Sequence, residues 1–208
     1  MQNSQAKQVL ARNGKSFYWA SLFLGPELAD RAARLYQFCR FVDDLADGDL
    51  PHRLDSLEDI RAGLTDPQHP AVATIPELEA FIALATESNI PLNAAGELLD
   101  GMLRDQHPTA LETEAELLRY CHAVAGTVGL MMCRVLNCQH ARADAFAIDL
   151  GVAMQLTNIA RDVLEDGKMD RRYLPASWFA VSISPADIAR ASNDTHIPVA
   201  AAINQLLE

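Results

Sequence analysis

The stretch Arg40-Phe41-Val42-Asp43-Asp44-Leu45-Ala46-Asp47-Gly48 decides how this chain is interpreted, because its plan recurs in Asn158-Ile159-Ala160-Arg161-Asp162-Val163-Leu164-Glu165-Asp166-Gly167. Each stretch contains an arginine, then two aspartates four residues apart, and then a glycine. Residues at this spacing lie on one face of an α-helix, so the two aspartates of each stretch should present their carboxylates side by side. A glycine after the last periodic residue is typical of a helix C-terminus.

We call Asp43 with Asp47 the first cluster, and Asp162 with Asp166 the second cluster. Their placement is unfavourable, because carboxylates in a last helical turn face the negative end of the helix dipole and also repel each other. A single acidic run is most simply a solvated helix end, but two runs of matching spacing indicate bound cations. Mg²⁺ prefers oxygen ligands and usually shares its coordination shell with phosphate. The sequence therefore predicts a diphosphate–Mg²⁺ site between two facing helices.

Polar residues beside the clusters are candidates for binding the diphosphate. Arg40 and Arg161 precede the acids, and arginine can bind phosphate oxygens bidentately. Gln155 and Asn158 lie on the turns before the second cluster and should point into the same cavity. Ordinary hydrogen bonding inside a helical bundle is the alternative for these two. The segment 171–173 follows the second cluster and could close over it.

Composition restricts the class of protein. The chain has 208 residues, 50% of them hydrophobic, and we expect residues 1–208 to form a single domain. A formal net charge of −11 argues against nucleic acid as a partner. The beginning of the chain lacks the apolar segment of a signal peptide, and no apolar stretch is long enough for a membrane span. The four cysteines form no Cys-x-x-Cys pair, so reduced thiols and a cytoplasmic location are expected.

Apolar residues recur at three- and four-residue spacing through most of the chain, which predicts an all-α fold. The predicted helical segments are 27–46, 54–64, 75–85, 92–103, 114–136, 141–164 and 185–191. The segment 114–136 contains Gly126 and Gly129 in its middle, where glycine weakens a helix. Close packing against another helix is one explanation, and a kink or thinned wall beside a long apolar ligand is the other.

Six ordered stretches resemble the squalene/phytoene synthase family, the head-to-head isoprenyl diphosphate synthases, and are most similar to the bacterial phytoene synthases. The stretches are Lys15-Ser16-Phe17, Leu35–Arg40 leading into the first cluster, Gly101–Asp105, Tyr120–Gly129, Gln155–Asp162 and Arg172–Pro175. The resemblance implies an all-α isoprenoid synthase fold, a helical bundle around a central cavity. Family members usually continue for several more helices, so we expect a C-terminally short bundle.

The resemblance also implies roles for individual residues, with Mg²⁺ as the cofactor. The implied Mg²⁺ ligands are Asp43, Asp47, Asn158, Asp162 and Asp166. The implied substrate-binding residues are Ser16, Phe17, Tyr36, Arg40, Gln155, Asn158, Arg161 and Tyr173. The implied catalytic residues are the four aspartates of the two clusters together with Arg40 and Tyr36.

The implied reaction joins two prenyl diphosphates head to head through a cyclopropylcarbinyl diphosphate. Squalene synthases carry a tyrosine before Val-Ala-Gly, where this chain has Ala123, and this favours phytoene synthesis from two geranylgeranyl diphosphates in carotenoid biosynthesis. Squalene or dehydrosqualene synthesis from farnesyl diphosphate is the alternative within the family. A non-catalytic homologue that acts as an assembly or scaffold factor is the alternative of another class. The resemblance further implies peripheral contact with the inner face of a membrane.

Overall fold

Helices account for nearly all of the regular structure in the computed structural model, which describes residues 2–48 and 52–207. The helices are α1 (Gln2–Asn13), α2 (Lys15–Ser21), α3 (Pro26–Asp47), α4 (Arg53–Thr65), α5 (Pro70–Thr74), α6 (Pro76–Ser88), α7 (Leu92–Arg104), α8 (Glu114–Cys121), α9 (Thr127–Val135), α10 (Ala143–Lys168), α11 (Pro185–Arg190) and α12 (Asn193–Leu206). A π-helical turn, His122–Gly126, joins α8 to α9, and a 3₁₀ turn spans Ala176–Trp178. The predicted all-α class is confirmed.

Local chemistry explains where several helices begin. Pro26 and Pro76 occupy the first positions of α3 and α6, where a missing backbone N–H costs no helical hydrogen bond. Thr113 and Glu116 form a capping box that starts α8, since each side chain accepts a backbone N–H of the other residue. The helices α1, α2, α5 and α12 were not predicted.

The glycines at the ends of the two acidic stretches have different structural roles. Gly48 ends α3 as predicted, and its N–H donates to the carbonyl of Asp44. The same prediction was wrong for Gly167, because α10 continues through it to Lys168. A Cβ at Gly167 would lie 2.9 Å from Cγ2 of Ile188, so this glycine allows α11 to pack directly on α10.

Two hydrophobic cores lie on either side of the π-helical turn. The larger core joins α3, α4, α6 and α7, with the rings of Phe38 and Phe81 stacked at 3.9 Å. The smaller core joins α8, α10, α11 and α12, and includes the stacked rings of Tyr120 and Tyr173. Val124 of the π-helical turn packs against both cores. Val124 therefore lies at the junction between the two cores.

Close backbone packing explains the mid-helix glycines. A Cβ on Gly129 would overlap the carbonyl oxygen of Ala147, and a Cβ on Gly151 would overlap that of Ala125. The absence of side chains lets α9 and α10 touch along their backbones. The predicted continuous helix over 114–136 is also interrupted by the π-helical turn.

A two-residue parallel sheet ties the end of α7 to the end of α10. Strand β1 (Thr109–Ala110) pairs with β2 (Arg171–Arg172), with Thr109 opposite Arg171. No strand was predicted here, because two residues are too few to show alternation. Among the described residues, every helix is too short or too polar to cross a membrane.

Candidate active site

The first cluster opens into a cavity of about 140 Å³ at the junction of the two cores. The residues that line it are Asp43, Ala46, Asp47, Met102, Asp105, Gln106, Tyr120, Val124, Gln155 and Arg171. These residues come from α3, the end of α7, α8, the π-helical turn, α10 and β2. One wall is acidic, a second is apolar, and an arginine faces into the same space. Such a cavity can hold an anionic group only if cations neutralise part of the acidic wall.

The first cluster has a half-buried member. Burial raises the pKa of the Asp43 carboxyl above its ordinary value, and the neighbouring charge of Asp47 raises it further. Arg40 opposes this effect, because its Nη1 donates to Asp43 Oδ2 at 2.9 Å. Its other terminal nitrogen donates to Asp44. Arg40 is therefore bonded to the acids of its own stretch, and the side chains that line the cavity do not include it.

The second cluster is divided between surface and interior. Arg161 grips Asp162 bidentately, with Nε to Oδ1 at 2.7 Å and Nη2 to Oδ2 at 2.6 Å, and this lowers the pKa of Asp162. Burial raises the pKa of Asp166 to about 6, and the charge of Asp162 adds to the effect. Asp166 lines a smaller recess with Arg171 and Tyr173, next to the main cavity. The two predicted partners thus sit in opposite electrostatic environments.

Asp105 lies between the clusters. It caps the C-terminal end of α7, and burial raises its pKa despite hydrogen bonding from Tyr120. The Tyr120 hydroxyl donates to Asp105 Oδ2 at 2.7 Å. The charge of Asp47 raises the pKa of Asp105, and the charge of Asp105 in turn raises that of Asp166. The two clusters are therefore coupled through a third carboxylate.

Arg171 is the arginine that lines the cavity beside these carboxylates. It lines both the main cavity and the smaller recess, and its Nη2 donates to the backbone carbonyl of Asp105 at 2.9 Å. Its charge lowers the pKa of both Asp105 and Asp166, in opposition to burial. The β1–β2 pairing fixes this arginine, because residue 171 is itself part of the sheet.

The π-helical turn shapes the apolar wall. A wider turn leaves the carbonyl of Ala123 without its usual α-helical partner, and the Thr127 hydroxyl donates to it at 2.7 Å. The N–H of Thr127 donates instead to the carbonyl of His122. Val124 is thereby directed into the cavity, beside Met102 of α7. Turns of this kind are frequent at functional sites.

The remaining predicted substrate-binding residues form two groups. Phe17 and Tyr36 lie with their rings 6.2 Å apart, and the Tyr36 ring also fills the space beside Gly14. Ser16 and Phe17 are both exposed. Asn158 donates to Gln155 Oε1 at 3.4 Å on α10, and of these two only Gln155 lines the cavity.

The structure therefore brings together part of the predicted site and adds to it. Asp43, Asp47 and Gln155 line one cavity, while Asp166 and Tyr173 line the recess beside it. The cavity lining does not include the other predicted residues, which are Ser16, Phe17, Tyr36, Arg40, Asn158, Arg161 and Asp162. From the sequence, Arg171 was expected only to close over the second cluster, and Asp105 and Tyr120 were given no role as binding or catalytic residues. For Asp105 and Tyr120, their presence in stretches that resemble the family was the only available signal.

The donor set suits a hard cation. Carboxylate and amide oxygens are ligands that Mg²⁺ accepts, and it commonly binds one or two carboxylates and completes its shell with water and phosphate. Burial and a neighbouring carboxylate raise the pKa of Asp43 and of Asp166, and a bound cation would oppose both effects. Within residues 2–48 and 52–207, no three His, Cys, Asp or Glu side chains converge on one metal position. The residues present therefore suit Mg²⁺ by the chemistry of their oxygen atoms, and the carboxylates are arranged in pairs.

Comparison with known proteins gives a consistent answer. The model of the squalene/phytoene synthase family matches residues 10–208. A phytoene synthase of Pseudescherichia vulneris is 36% identical over 200 residues, which cover 90% of this chain and 64% of that protein. A phytoene synthase of Thermus thermophilus is 41% identical over 169 residues, which cover 81% of this chain and 57% of that protein. The chain thus spans less than two thirds of the length of these relatives.

Solved structures agree with the sequence relatives. A dehydrosqualene synthase superposes with a TM-score of 0.80 at 30% identity, covering 98% of this chain and 72% of that one. A squalene synthase of Alicyclobacillus acidocaldarius, at 24% identity and a TM-score of 0.75, shares the fold, with 99% of this chain and 80% of that chain covered. The isoprenoid synthase fold expected from the sequence is confirmed. The chain belongs to the squalene/phytoene synthase family.

Proposed function

We propose that this chain carries the diphosphate-binding site of a prenyltransferase that joins two prenyl diphosphates head to head, as in the synthesis of phytoene from two geranylgeranyl diphosphates. The observation that supports this most directly is the cavity in which the first cluster, Asp105 and Arg171 face one another. Phytoene synthases among the relatives, at 36% and 41% identity, support the same reaction.

The residues of the cavity have distinct tasks in this proposal. Asp43 with Asp47 in the cavity, and Asp166 in the recess beside it, would hold separate Mg²⁺ ions, which when bound neutralise diphosphate oxygens and make diphosphate a better leaving group. Arg171 has N–H groups left over after its bond to Asp105 and would orient the diphosphate. Val124 and Met102 would keep water from the allylic carbon. Tyr120 would hold Asp105 in place through their 2.7 Å hydrogen bond.

Packing around Ala123 supports a phytoene-type site. Ala123 is buried, and a Cβ on Gly101 would lie 3.4 Å from its Cβ. A tyrosine at residue 123, as in squalene synthases, would not fit here unless α7 moved away. A presqualene diphosphate synthase of Sinorhizobium fredii is 35% identical to this chain. Because of this relative, synthesis of a C30 product is the second candidate function.

Product analysis tests the proposal. The chain would be incubated with Mg²⁺ and either geranylgeranyl or farnesyl diphosphate, with and without NADPH, and the organic extract examined by mass spectrometry. A C40 hydrocarbon made without NADPH is the expected result. A C30 product from farnesyl diphosphate would instead support the second candidate. Diphosphates left unconsumed, with a phytoene synthase relative active in parallel, would contradict both and favour a non-catalytic homologue.

We further propose that α1, α2 and the turn after them contact a membrane that contains anionic lipids. Residues 1–26 include Lys7, Arg12 and Lys15 but no acidic residue, whereas the whole chain has a net charge of −11. Trp19 is 67% exposed and Phe23 is 90% exposed in the same region. Exposed aromatic rings beside basic side chains are typical of surfaces that bind an anionic lipid interface.

Vesicle flotation tests this contact. The chain should float with vesicles that contain phosphatidylglycerol, and replacement of both exposed aromatic residues by serine (Trp19→Ser with Phe23→Ser) should abolish flotation. Val181→Ser is the matched control, because Val181 is 64% exposed in a region without the basic side chains. Flotation that survives the double replacement, or a parent chain that never floats, would contradict the proposed contact.

A further inference from the structure

The connection between α9 and α10 begins with a specific turn. The N–H of Asn137 donates to the carbonyl of Arg134 at 3.0 Å, and the N–H of Cys138 donates to that of Cys133 at 3.2 Å. Asn137 has a φ of 53°, in the left-handed region that asparagine tolerates. This pair of bonds around a left-handed residue is the Schellman motif, a common way to end a helix. The turn folds the chain back over the last turn of α9.

The Schellman motif places two thiols together. It brings the residue after the left-handed position into contact with the residue five places earlier, and a hydrophobic pair usually fills these two positions. Here the pair is Cys138 and Cys133. A backbone hydrogen bond of this kind keeps the two Cα atoms about 5–7 Å apart, which overlaps the range of about 4.4–6.8 Å that a disulfide requires. The two thiols are close enough to interact, because Cys138 contributes to the raised pKa of the Cys133 thiol.

The two cysteines differ in their access to solvent. Cys138 is exposed, whereas Cys133 is only 4% exposed. Burial raises the pKa of the Cys133 thiol to about 11, and the carboxylate of Asp144 raises it too. An oxidant in solution therefore meets Cys138 first, with a protonated thiol directly behind it. This is the arrangement of a reactive cysteine with a resolving partner.

The surrounding connection is already held in place. Arg134, at the end of α9, forms an ion pair with Asp144, in the first turn of α10. The carboxylate of Asp144 also raises the pKa of the Cys133 thiol, so it lies near that sulfur. The ion pair and the Schellman motif therefore hold both cysteines in one defined turn.

We propose that Cys133 and Cys138 form an oxidisable dithiol, a modification site at the α9–α10 connection whose oxidant is a peroxide. The Cys138 sulfur attacks the O–O bond of hydrogen peroxide, becomes a sulfenic acid and releases one water. The Cys133 sulfur then attacks the Cys138 sulfur, the S–O bond breaks, and the hydroxide leaves with the Cys133 proton as a second water. Two thiols are oxidised by two electrons, and one peroxide is reduced to two waters.

The site lies outside the cavity, on the connection between the helix that follows the π-helical turn and the helix that carries the second cluster. The proposal does not depend on the proposed prenyltransferase activity. A thiol-specific reductant would restore the reduced pair, because the bond is close to the surface on the Cys138 side.

Peptide mapping after mild oxidation tests the proposal. The full chain, treated with limiting hydrogen peroxide, should lose about 2 Da by intact mass, the mass of two hydrogens, and regain it with dithiothreitol. Mapping without reduction should find one bond, between Cys133 and Cys138. Cys133→Ser should instead accumulate a sulfenic acid at Cys138 that dimedone traps. Cys39→Ser and Cys121→Ser are matched controls and should oxidise like the parent.

A second measurement covers the case in which Cys133→Ser does not fold. Alkylation of the exposed Cys138 with N-ethylmaleimide in the native parent chain should prevent the loss of mass on later oxidation. Disulfide-linked dimers, bonds to Cys39 or Cys121, or a sulfinic acid at Cys138 without any disulfide would each overturn the proposal.

Discussion

The two acidic clusters share one sequence plan but differ in their surroundings. In the first cluster, burial raises the pKa of the leading aspartate, Asp43. In the second cluster, the leading aspartate, Asp162, is neutralised by Arg161 and has a lowered pKa, while burial raises that of Asp166 to about 6. The same spacing therefore produces opposite electrostatic states. Tertiary packing, rather than the local motif, decides which carboxylate of each pair faces the interior.

The largest effect is expected at the first cluster. Replacing both carboxylates by amides (Asp43→Asn with Asp47→Asn) should lower turnover with Mg²⁺ on the order of 100-fold or more, because charge stabilisation at the leaving group is lost. Steady-state kinetics with a prenyl diphosphate measures this. The control is Asp55→Asn with Asp59→Asn, since these aspartates have the same spacing on α4 and are exposed. Equal losses in the two double variants would contradict a site at the first cluster.

Asp105 tests whether the clusters act together. Asp105→Asn should lower turnover by about 10- to 100-fold and raise the Mg²⁺ concentration needed for half-maximal rate, because it removes the charge between the clusters. A Mg²⁺ titration of the rate measures both effects. Asp100→Asn is the control on the same helix, because Asp100 pairs with Arg61 at the surface. If Asp105→Asn needs the same Mg²⁺ concentration as the parent chain, the two clusters do not act together through Asp105.

Gly167 tests the packing that distinguishes the second cluster. Gly167→Ala should lower the free energy of unfolding by about 1–3 kcal/mol, because backbone atoms of α11 lie 3.1 Å from the new Cβ. Urea denaturation measures this. Gly25→Ala is the control, because a Cβ there would meet no atom within 4 Å. If Gly167→Ala has the same free energy of unfolding as the parent chain, α11 can move away from α10 without a loss of stability.

The smallest effect is a dependence of stability on pH. The pKa of Asp166 is raised in the folded chain to about 6, so the folded state holds a proton that the unfolded state releases near pH 4. Without Mg²⁺, its contribution to stability should therefore be greatest below about pH 4 and be lost as the pH rises to about 6. Urea titrations across this range should show the fall in the parent chain but not in Asp166→Asn. An identical fall in both chains would contradict this assignment.

Asp162 should show the opposite dependence. Arg161 lowers its pKa in the folded chain, so its stabilising effect is present above about pH 4 and is lost as the pH falls below that value. In urea titrations, Asp162→Asn should therefore reduce the fall in the free energy of unfolding below about pH 4 and leave the fall between about pH 4 and 6 unchanged.

The sequence predicted those parts of the molecule in which periodicity carries the information. The bounds of α3 and the paired placement of Asp43 and Asp47 followed from helical spacing, and the structure agrees with both. The position of Asp105 between the clusters was not predicted, because it depends on tertiary packing. Arg171 was expected to close over the second cluster, but its place in the cavity could not be predicted because it depends on the pairing of β1 with β2. Arg40 was predicted as a phosphate-binding residue, but in this structure it is bonded to the acids next to it.

Gly167 is a second case in which the local sequence pattern does not predict the structure. A glycine after a polar helical turn resembles a helix stop, and only contact with residues 185–189 shows that it serves packing instead. The extra residue of the π-helical turn is likewise invisible in the sequence, because it changes hydrogen bonds without a change in hydrophobic pattern.

The π-helical turn also sets the angle by which α8 is rotated about the helix axis relative to α9. Conversion of His122–Gly126 to a regular α-helix with the same number of residues would rotate α8 by roughly a quarter turn relative to α9, because the wider π-helical turn rotates less per residue. Tyr120 would then turn away from Asp105, although its chemical identity and its neighbours in sequence stay the same. Loss of the π-helical hydrogen bonds alone should therefore change the cavity as completely as replacement of the tyrosine, whereas loss of those bonds together with one residue of the turn should leave Tyr120 facing Asp105.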